Sequence, residues 1–174
     1  MKKINPFKEH KLLHNAKVNF ISEEILADKD DCEIIIKYIE KFKNEGLSKR
    51  GKTWGEQKDK KKQKNWKLCD DIMIGNDFMD DKNEEFVTTK KDAYNKAHFD
   101  RSIGDSSRFS AGILYLNTID EGGETVFPIY KKEIKPIQGK FVMFPSSFTH
   151  IHYSKPTKNQ DRYNIIVHTK EKKY

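Results

Sequence analysis

Ala111-Gly112-Ile113-Leu114-Tyr115-Leu116-Asn117 is the stretch on which the fold turns. It is short, mostly apolar and followed by Glu121-Gly122-Gly123, so it reads as a buried strand rather than a helix. Two further runs match it downstream. Lys140-Phe141-Val142-Met143-Phe144 is entered through Gln138-Gly139 and left through Pro145-Ser146-Ser147, and Tyr163-Asn164-Ile165-Ile166-Val167-His168 follows. Pro128, Pro136 and Pro156 punctuate the intervals. Short strands at this spacing, from Phe86 onward, predict an all-β sandwich or barrel. There is no internal repeat.

Upstream the pattern differs. Between Asp30 and Glu45, Ile34, Ile35, Tyr38, Ile39 and Phe42 recur at helical spacing. Asp28 or Asp30 suits the N-cap, and Gly46 sits where a glycine ends a helix. This helix is expected to pack on the sheet and carry no chemistry. Gly46 to Lys67 has no period and reads as a loop, and Leu68 to Phe86 is ambiguous.

A chain of 174 residues is expected to form one domain and to bury a core. The expected division is 1–90 as helical support and substrate-facing loops, and 91–174 as the catalytic core. Cys32 and Cys69 give no disulfide framework or thiolate metal site. The start, Met1-Lys2-Lys3-Ile4-Asn5-Pro6, lacks the apolar segment of a signal peptide, and no run is long enough to span a bilayer. A soluble, cytoplasmic protein is expected. Net charge is +7, and nine basic residues from Lys49 to Lys67 face only Glu56 and Asp59, with Trp54 and Trp66 interleaved. Loop 49–67 has three readings: a solvated loop, a lid whose tryptophans touch substrate, or a surface for nucleic acid.

Chemistry is suggested by His98-Phe99-Asp100, with His150, His152 and Arg162 about fifty residues later. Side chains two apart on a strand share a face, so His98 and Asp100 can grip one metal while Phe99 turns away. Two imidazoles and a carboxylate leave open positions on an octahedral metal, which suits non-haem Fe(II). The plain alternative is a surface histidine beside a solvated aspartate.

From His98 to Val167 the sequence resembles the catalytic core of the 2-oxoglutarate- and Fe(II)-dependent dioxygenases, and within them the prolyl 4-hydroxylases. The words that carry it are His98-Phe99-Asp100, Arg108-Phe109-Ser110, Leu114-Tyr115-Leu116-Asn117, Glu121-Gly122-Gly123-Glu124-Thr125-Val126-Phe127, Pro136-Ile137-Gln138-Gly139, Phe144-Pro145-Ser146, the His150/His152 pair and Arg162-Tyr163. The resemblance implies a mainly β double-stranded β-helix, or jelly roll, with supporting N-terminal α-helices. It implies Fe(II) with 2-oxoglutarate and O₂ as co-substrates, and ascorbate as a support of activity. His98 and Asp100 would be metal ligands, and Arg162 would pair with the distal carboxylate of 2-oxoglutarate, for which a planar guanidinium is suited. Tyr115 matches a tyrosine that bonds the same carboxylate in some members, and the alternative is a packed core tyrosine.

The third ligand is open between two residues. Counted from Phe144-Pro145-Ser146, His150 fits; counted back ten residues from Arg162, His152 fits, and that spacing is favoured because it sets the reach from metal to arginine. The other histidine would then support the site or touch substrate. His168 is expected to be structural, His10 and His14 solvated, and Glu124-Thr125 a structural turn. The implied reaction is C–H hydroxylation, with a prolyl residue in a peptide or protein as leading substrate. Gly46 to Lys67 and Asp70 to Lys91 would face it. The lead-in Tyr94-Asn95-Lys96-Ala97 keeps only part of the family's aromatic and glycine-rich pattern, which weakens a prolyl assignment. A nucleic acid, a small molecule, or a jelly-roll module that only binds are the alternatives.

Overall fold

The computed structural model describes residues 19–47, 49–50, 69–74, 84–101 and 107–171, with 49–50, 69–74 and 84–85 described as backbone. In chain order the elements are β1 (Ser22–Ile25), α1 (Lys29–Asn44), β2 (Lys49–Arg50), β3 (Cys69–Ile74), β4 (Glu84–Thr89), β5 (Asn95–His98), β6 (Arg108–Tyr115), β7 (Thr125–Phe127), β8 (Lys132–Ile134), β9 (Lys140–Pro145), β10 (His152–Ser154) and β11 (Arg162–Lys170). Two 3₁₀ turns, Pro128–Tyr130 and Phe148–His150, complete the set.

The strands form a seven-stranded sheet, β1-β9-β6-β11-β4-β3-β2, and a four-stranded sheet, β5-β10-β7-β8. Every pairing is antiparallel. This is the expected mainly β jelly roll, with one α-helix among the described residues. None of them forms a helix long and apolar enough to cross a membrane.

Strand alternation explains how one sheet serves two cores. On the inner face, Ala111, Tyr115, Val142 and Phe144 meet Phe127 and Ile134 of the small sheet, with Ile21 beside them. On the outer face, Leu114, Leu116, Phe86, Tyr163 and Ile165 meet α1. The Asp28 side chain accepts from Asp31 N at 2.9 Å and caps the helix. Gly46, at φ 73°, follows its end. The buried stripe is Cys32, Ile35, Ile36, Ile39 and Phe42; Ile34 and Tyr38 are exposed. The predicted stripe was therefore rotated, because Cys32 and Ile36 complete a 3.6-residue face that Ile34 and Tyr38 leave.

The large sheet also draws on strands from the N-terminal part of the chain. β1, β3 and β4 all precede residue 91 and all belong to the seven-stranded sheet. β4 pairs with β11 along its length, and Val87, Thr88 and Thr89 are buried. So this part of the 70–91 segment is sheet, where the sequence reading had loops. Most of loop 49–67, with Trp54 and Trp66, lies outside the described residues; Lys49–Arg50 are a short strand on β3.

Candidate active site

His98 closes β5 and His152 opens β10, and the two are direct partners across the strands. That register sets their rings 4.5 Å apart, centroid to centroid. Asp100 follows β5 by two residues and turns back toward both. His98 Nε2 lies 3.8 Å from Asp100 Oδ1, and His152 Nε2 lies 3.8 Å from Oδ2. The three donor atoms fall within 4.8 Å of one another.

Backbone carbonyls aim both imidazoles. His98 Nδ1–H donates to Lys96 O at 2.6 Å, and His152 Nδ1–H donates to His150 O at 3.0 Å. Each ring thereby presents the lone pair of Nε2 to the centre, the tautomer a metal ligand needs. Burial lowers the His152 pKa and outweighs the pull of Asp100, so the ring stays neutral. Burial acts to raise the Asp100 pKa, but the neighbouring imidazoles of His168, His152 and His98 together hold it low. Asp100 Oδ2 is buried and accepts no hydrogen bond among the described residues. A buried anionic oxygen without a donor is costly unless a cation meets it. Two imidazoles and such a carboxylate fit a divalent iron.

The same cleft continues between the sheets. Its lining includes His98, Asp100, His152, Tyr115, Thr125 and Arg162. Arg162 opens β11 and is 4% exposed. Its Nη1 donates to Gly123 O at 2.6 Å. With its amide oxygen turned to the guanidinium, Asn164 accepts from Arg162 Nε at 3.2 Å. Tyr115 Oη lies 2.6 Å from Thr125 Oγ1 and is fully buried, which raises its pKa. The phenol is a neutral donor beside a fixed cation, an arrangement that can receive a carboxylate.

The Gly-Gly word has a mechanical role in this spacing. Gly122 is at φ +81°, and a Cβ there would lie 2.1 Å from Pro156 O. Gly122 bridges Thr157, and Gly123 N donates to Pro156 O at 3.2 Å. The two glycines thus clamp the connection between β10 and β11, which sets the reach from His152 to Arg162.

His150 lies elsewhere. It sits in a 3₁₀ turn, buried, with Nε2–H donating to Asn19 O at 2.8 Å and Nδ1 accepting from Thr149 Oγ1 at 2.9 Å. Tyr130 is stacked 4.9 Å away. It ties the segment before β1 to the core. His168, expected to be structural, instead faces the site: its Nε2 is 3.9 Å from Asp100 Oδ1. Strand alternation carries that signal, since Arg162, Asn164, Ile166 and His168 share one face of β11. Asn164 and Thr125 were also missed as cleft residues. Lys155 is drawn away to Glu133 at 2.7 Å. His10 and His14 lie outside the described residues.

Residues 85–169 match the model of the 2OG-Fe(II) oxygenase superfamily. No curated protein matches the sequence. Among solved structures, a prolyl 4-hydroxylase from Pseudomonas putida is similar at TM-score 0.68 and 13% identity, covering 93% of this chain and 98% of that one. A Trichoplax adhaerens prolyl hydroxylase, solved with a peptide fragment of the hypoxia-inducible factor oxygen degradation domain, gives TM-score 0.68 and 16% identity over 96% of this chain and 94% of that one. A viral collagen prolyl hydroxylase from Paramecium Bursaria Chlorella virus-1, solved with 2-oxoglutarate, gives 0.62 and 16% over 88% and 97%. These likenesses are of fold; the family match adds the class of chemistry, which uses Fe(II), 2-oxoglutarate and O₂. Over residues 85–169 the chain is similar to the 2OG-Fe(II) oxygenase superfamily, and the activity this likeness supports is that of a 2-oxoglutarate-dependent dioxygenase.

Proposed function

We propose that this single domain hydroxylates a C–H bond of a peptide or protein, with a prolyl residue as the target. The observation that carries the reading is one cleft holding a His-Asp-His donor group together with Tyr115 and an oriented, buried Arg162. The donors are His98 Nε2, one Asp100 oxygen and His152 Nε2, and they would hold Fe(II). When bound, iron and 2-oxoglutarate supply the oxidant, with succinate and CO₂ as the by-products of the co-substrate.

The chain's own residues then do four things. The carbonyls of Lys96 and His150 fix the two imidazoles as neutral ligands. Arg162 and Tyr115 take the distal carboxylate of 2-oxoglutarate, the first with charge and the second with its O–H. Gly123 O and Asn164 keep the guanidinium from swinging away from the cleft. The apolar walls Ala111, Ile113, Phe144 and Ile166 exclude water from the reacting groups.

The peptide assignment draws support from two neighbours. One is a collagen prolyl hydroxylase, and one was solved with a peptide fragment. His98, at the cleft mouth, has a side chain that is 43% exposed, so a chain approaching from solvent can reach the donor group without entering the barrel. The test is succinate release from 2-oxoglutarate in air, with Fe(II) and ascorbate, with and without a proline-rich peptide. Release that speeds up with peptide, with an added hydroxyl on proline found by mass spectrometry, is the expected result. Release indifferent to peptide would remove the prolyl reading and leave the oxygenase.

A further inference from the structure

Phe20, Phe99, Phe109 and Phe148 are exposed, whereas the other phenylalanines among the described residues are buried or half-buried. Single exposed apolar side chains are ordinary. These four hang from four separate segments that meet at one junction, residues 145–150. Phe148 opens the 3₁₀ turn Phe148–His150 within it. Phe109 O accepts from Ser146 N at 3.1 Å. Phe99 stands two residues before Arg101, whose N–H donates to Ser146 O at 2.9 Å. Phe20 follows Asn19, whose carbonyl accepts from His150 Nε2 at 2.8 Å. The junction adjoins the donor group on both sides: Asp100 precedes Arg101, and His150 O receives Nδ1–H of His152.

Phe20 carries a second signal. Its φ is 53°, a left-handed backbone that a bulky residue rarely adopts. Both neighbours are anchored, since Ile21 is buried in the core and its N–H donates to Asn19 Oδ1 at 3.0 Å. Backbone strain of this kind collects at functional sites.

The chemistry of the junction is neutral. Residues 141–154 contain no Asp, Glu, Lys or Arg, in a chain of which 35% is charged. Arg101 and Arg108 border it, and Arg108 Nη1 reaches back to Asp100 O at 3.4 Å. Such a surface complements an uncharged partner better than a phosphate backbone. None of the four rings stacks on another aromatic ring among the described residues, so their faces stay open. Open aromatic faces suit an extended proline-bearing segment, which is stiff beforehand and loses little entropy on docking.

We propose that Phe20, Phe99, Phe109 and Phe148 form the docking rim for the substrate, and that its occupant is an uncharged, proline-containing peptide segment in extended conformation. This deepens the prolyl reading of the site and rests on it. The rim grips residues that flank the target, while the cleft receives the target itself.

The test is binding of a fluorescein-labelled, uncharged proline-rich peptide to the metal-free protein, read by anisotropy, followed by the KM for that peptide in succinate release. F109S and F148S should each weaken binding and raise KM roughly 2- to 10-fold, as loss of an aromatic contact does, and F148W should stay near wild type. Co(II) affinity of the variants reports on the donor end. A loss there matching the loss for peptide would make the rim structural and overturn the proposal. A wild type that peptide accelerates, with KM unchanged in both serine variants, would overturn the rim and leave the prolyl reading. A wild type indifferent to peptide would remove that reading and this inference with it. Self-association of wild type that the variants lose, with KM unchanged, would give the surface to a second copy of the chain and overturn the proposal.

Discussion

The two ends of the cleft are built from different material. The donor end stands on β5 and β10, strands of four and three residues in the small sheet. There the His98 side chain is 43% exposed and Asp100 lies beyond a strand end. The arginine end stands on β6 and β11, strands of eight and nine residues in the middle of the large sheet. There Tyr115 is fully buried, and Arg162 is clasped by Gly123 O and Asn164. Long central strands pin their side chains through register and packing. Short strands cannot, so the donor end relies on the carbonyls of Lys96 and His150 to aim its imidazoles. Residues at the open end should therefore matter for function and little for stability, and residues at the closed end should matter for both.

The sharpest break of that contrast is at the donor end. His98→Ala and Asp100→Ala should abolish Fe(II) binding and turnover, while the thermal midpoint of the metal-free protein stays near that of wild type. A large drop in that midpoint would show that the open end is structural. His150→Ala should behave in the opposite way. It orphans Asn19 O and opens the buried contact with Tyr130, at a cost of about 1–3 kcal/mol in denaturant unfolding, and Fe(II) affinity should be spared.

At the closed end, Arg162→Ala should raise the 2-oxoglutarate requirement tenfold or more, since a charge-assisted bond contributes about 1.5–3 kcal/mol. Metal affinity should not change, which a Co(II) titration would check. Gly122→Ala should act through the connection it clamps. A side chain at that positive φ, pressed on Pro156 O, should destabilise the fold by about 1–3 kcal/mol and raise the 2-oxoglutarate requirement without altering metal binding. Loss of stability with an unchanged requirement would separate the clamp from the arginine.

The smallest expected effect lies on β1, at the edge of the large sheet, and calibrates the others. Glu23 ties β1 to Lys132 at 2.7 Å and to Lys140 at 3.4 Å. Burial acts to raise its pKa, but the two lysines together hold it below the ordinary glutamate value. A carboxylate lowered on folding adds stability above its unfolded pKa, about 4.3, and loses it as pH falls through the folded value. Glu23→Gln should thus cost less than about 1 kcal/mol at pH 7 and nothing at the acid end, read by urea unfolding at both pH values.

The sequence was legible where signals were long or chemically specific. β6, β9, β11 and α1 carried period and turn residues, and the Gly-Gly and His-x-Asp words marked the site. β5, β7, β8 and β10 span three or four residues each, too few for alternation to register. β3 and β4 went unread because Cys-Asp-Asp-Ile-Met-Ile and Glu-Glu-Phe-Val-Thr-Thr hold no clean alternation. His150 and His152 looked equivalent because two residues on a regular strand share a face. A 3₁₀ turn ends at His150, so the alternation starts only at His152. His168 was visible on its strand, but its neighbour Asp100 comes from the segment just after β5 of the other sheet, and that proximity exists only in three dimensions.

In the proposed function, His98, Asp100 and His152, not His150, hold the iron that turns over 2-oxoglutarate in the cleft of Arg162. Its most direct test is succinate release in air by Fe(II)-loaded wild type, His150→Ala and His152→Ala under one set of conditions. Wild type should release succinate, His150→Ala should do so at a comparable rate per folded molecule, and His152→Ala should release none. The reverse order of the two variants, or no release by iron-loaded wild type, would contradict it.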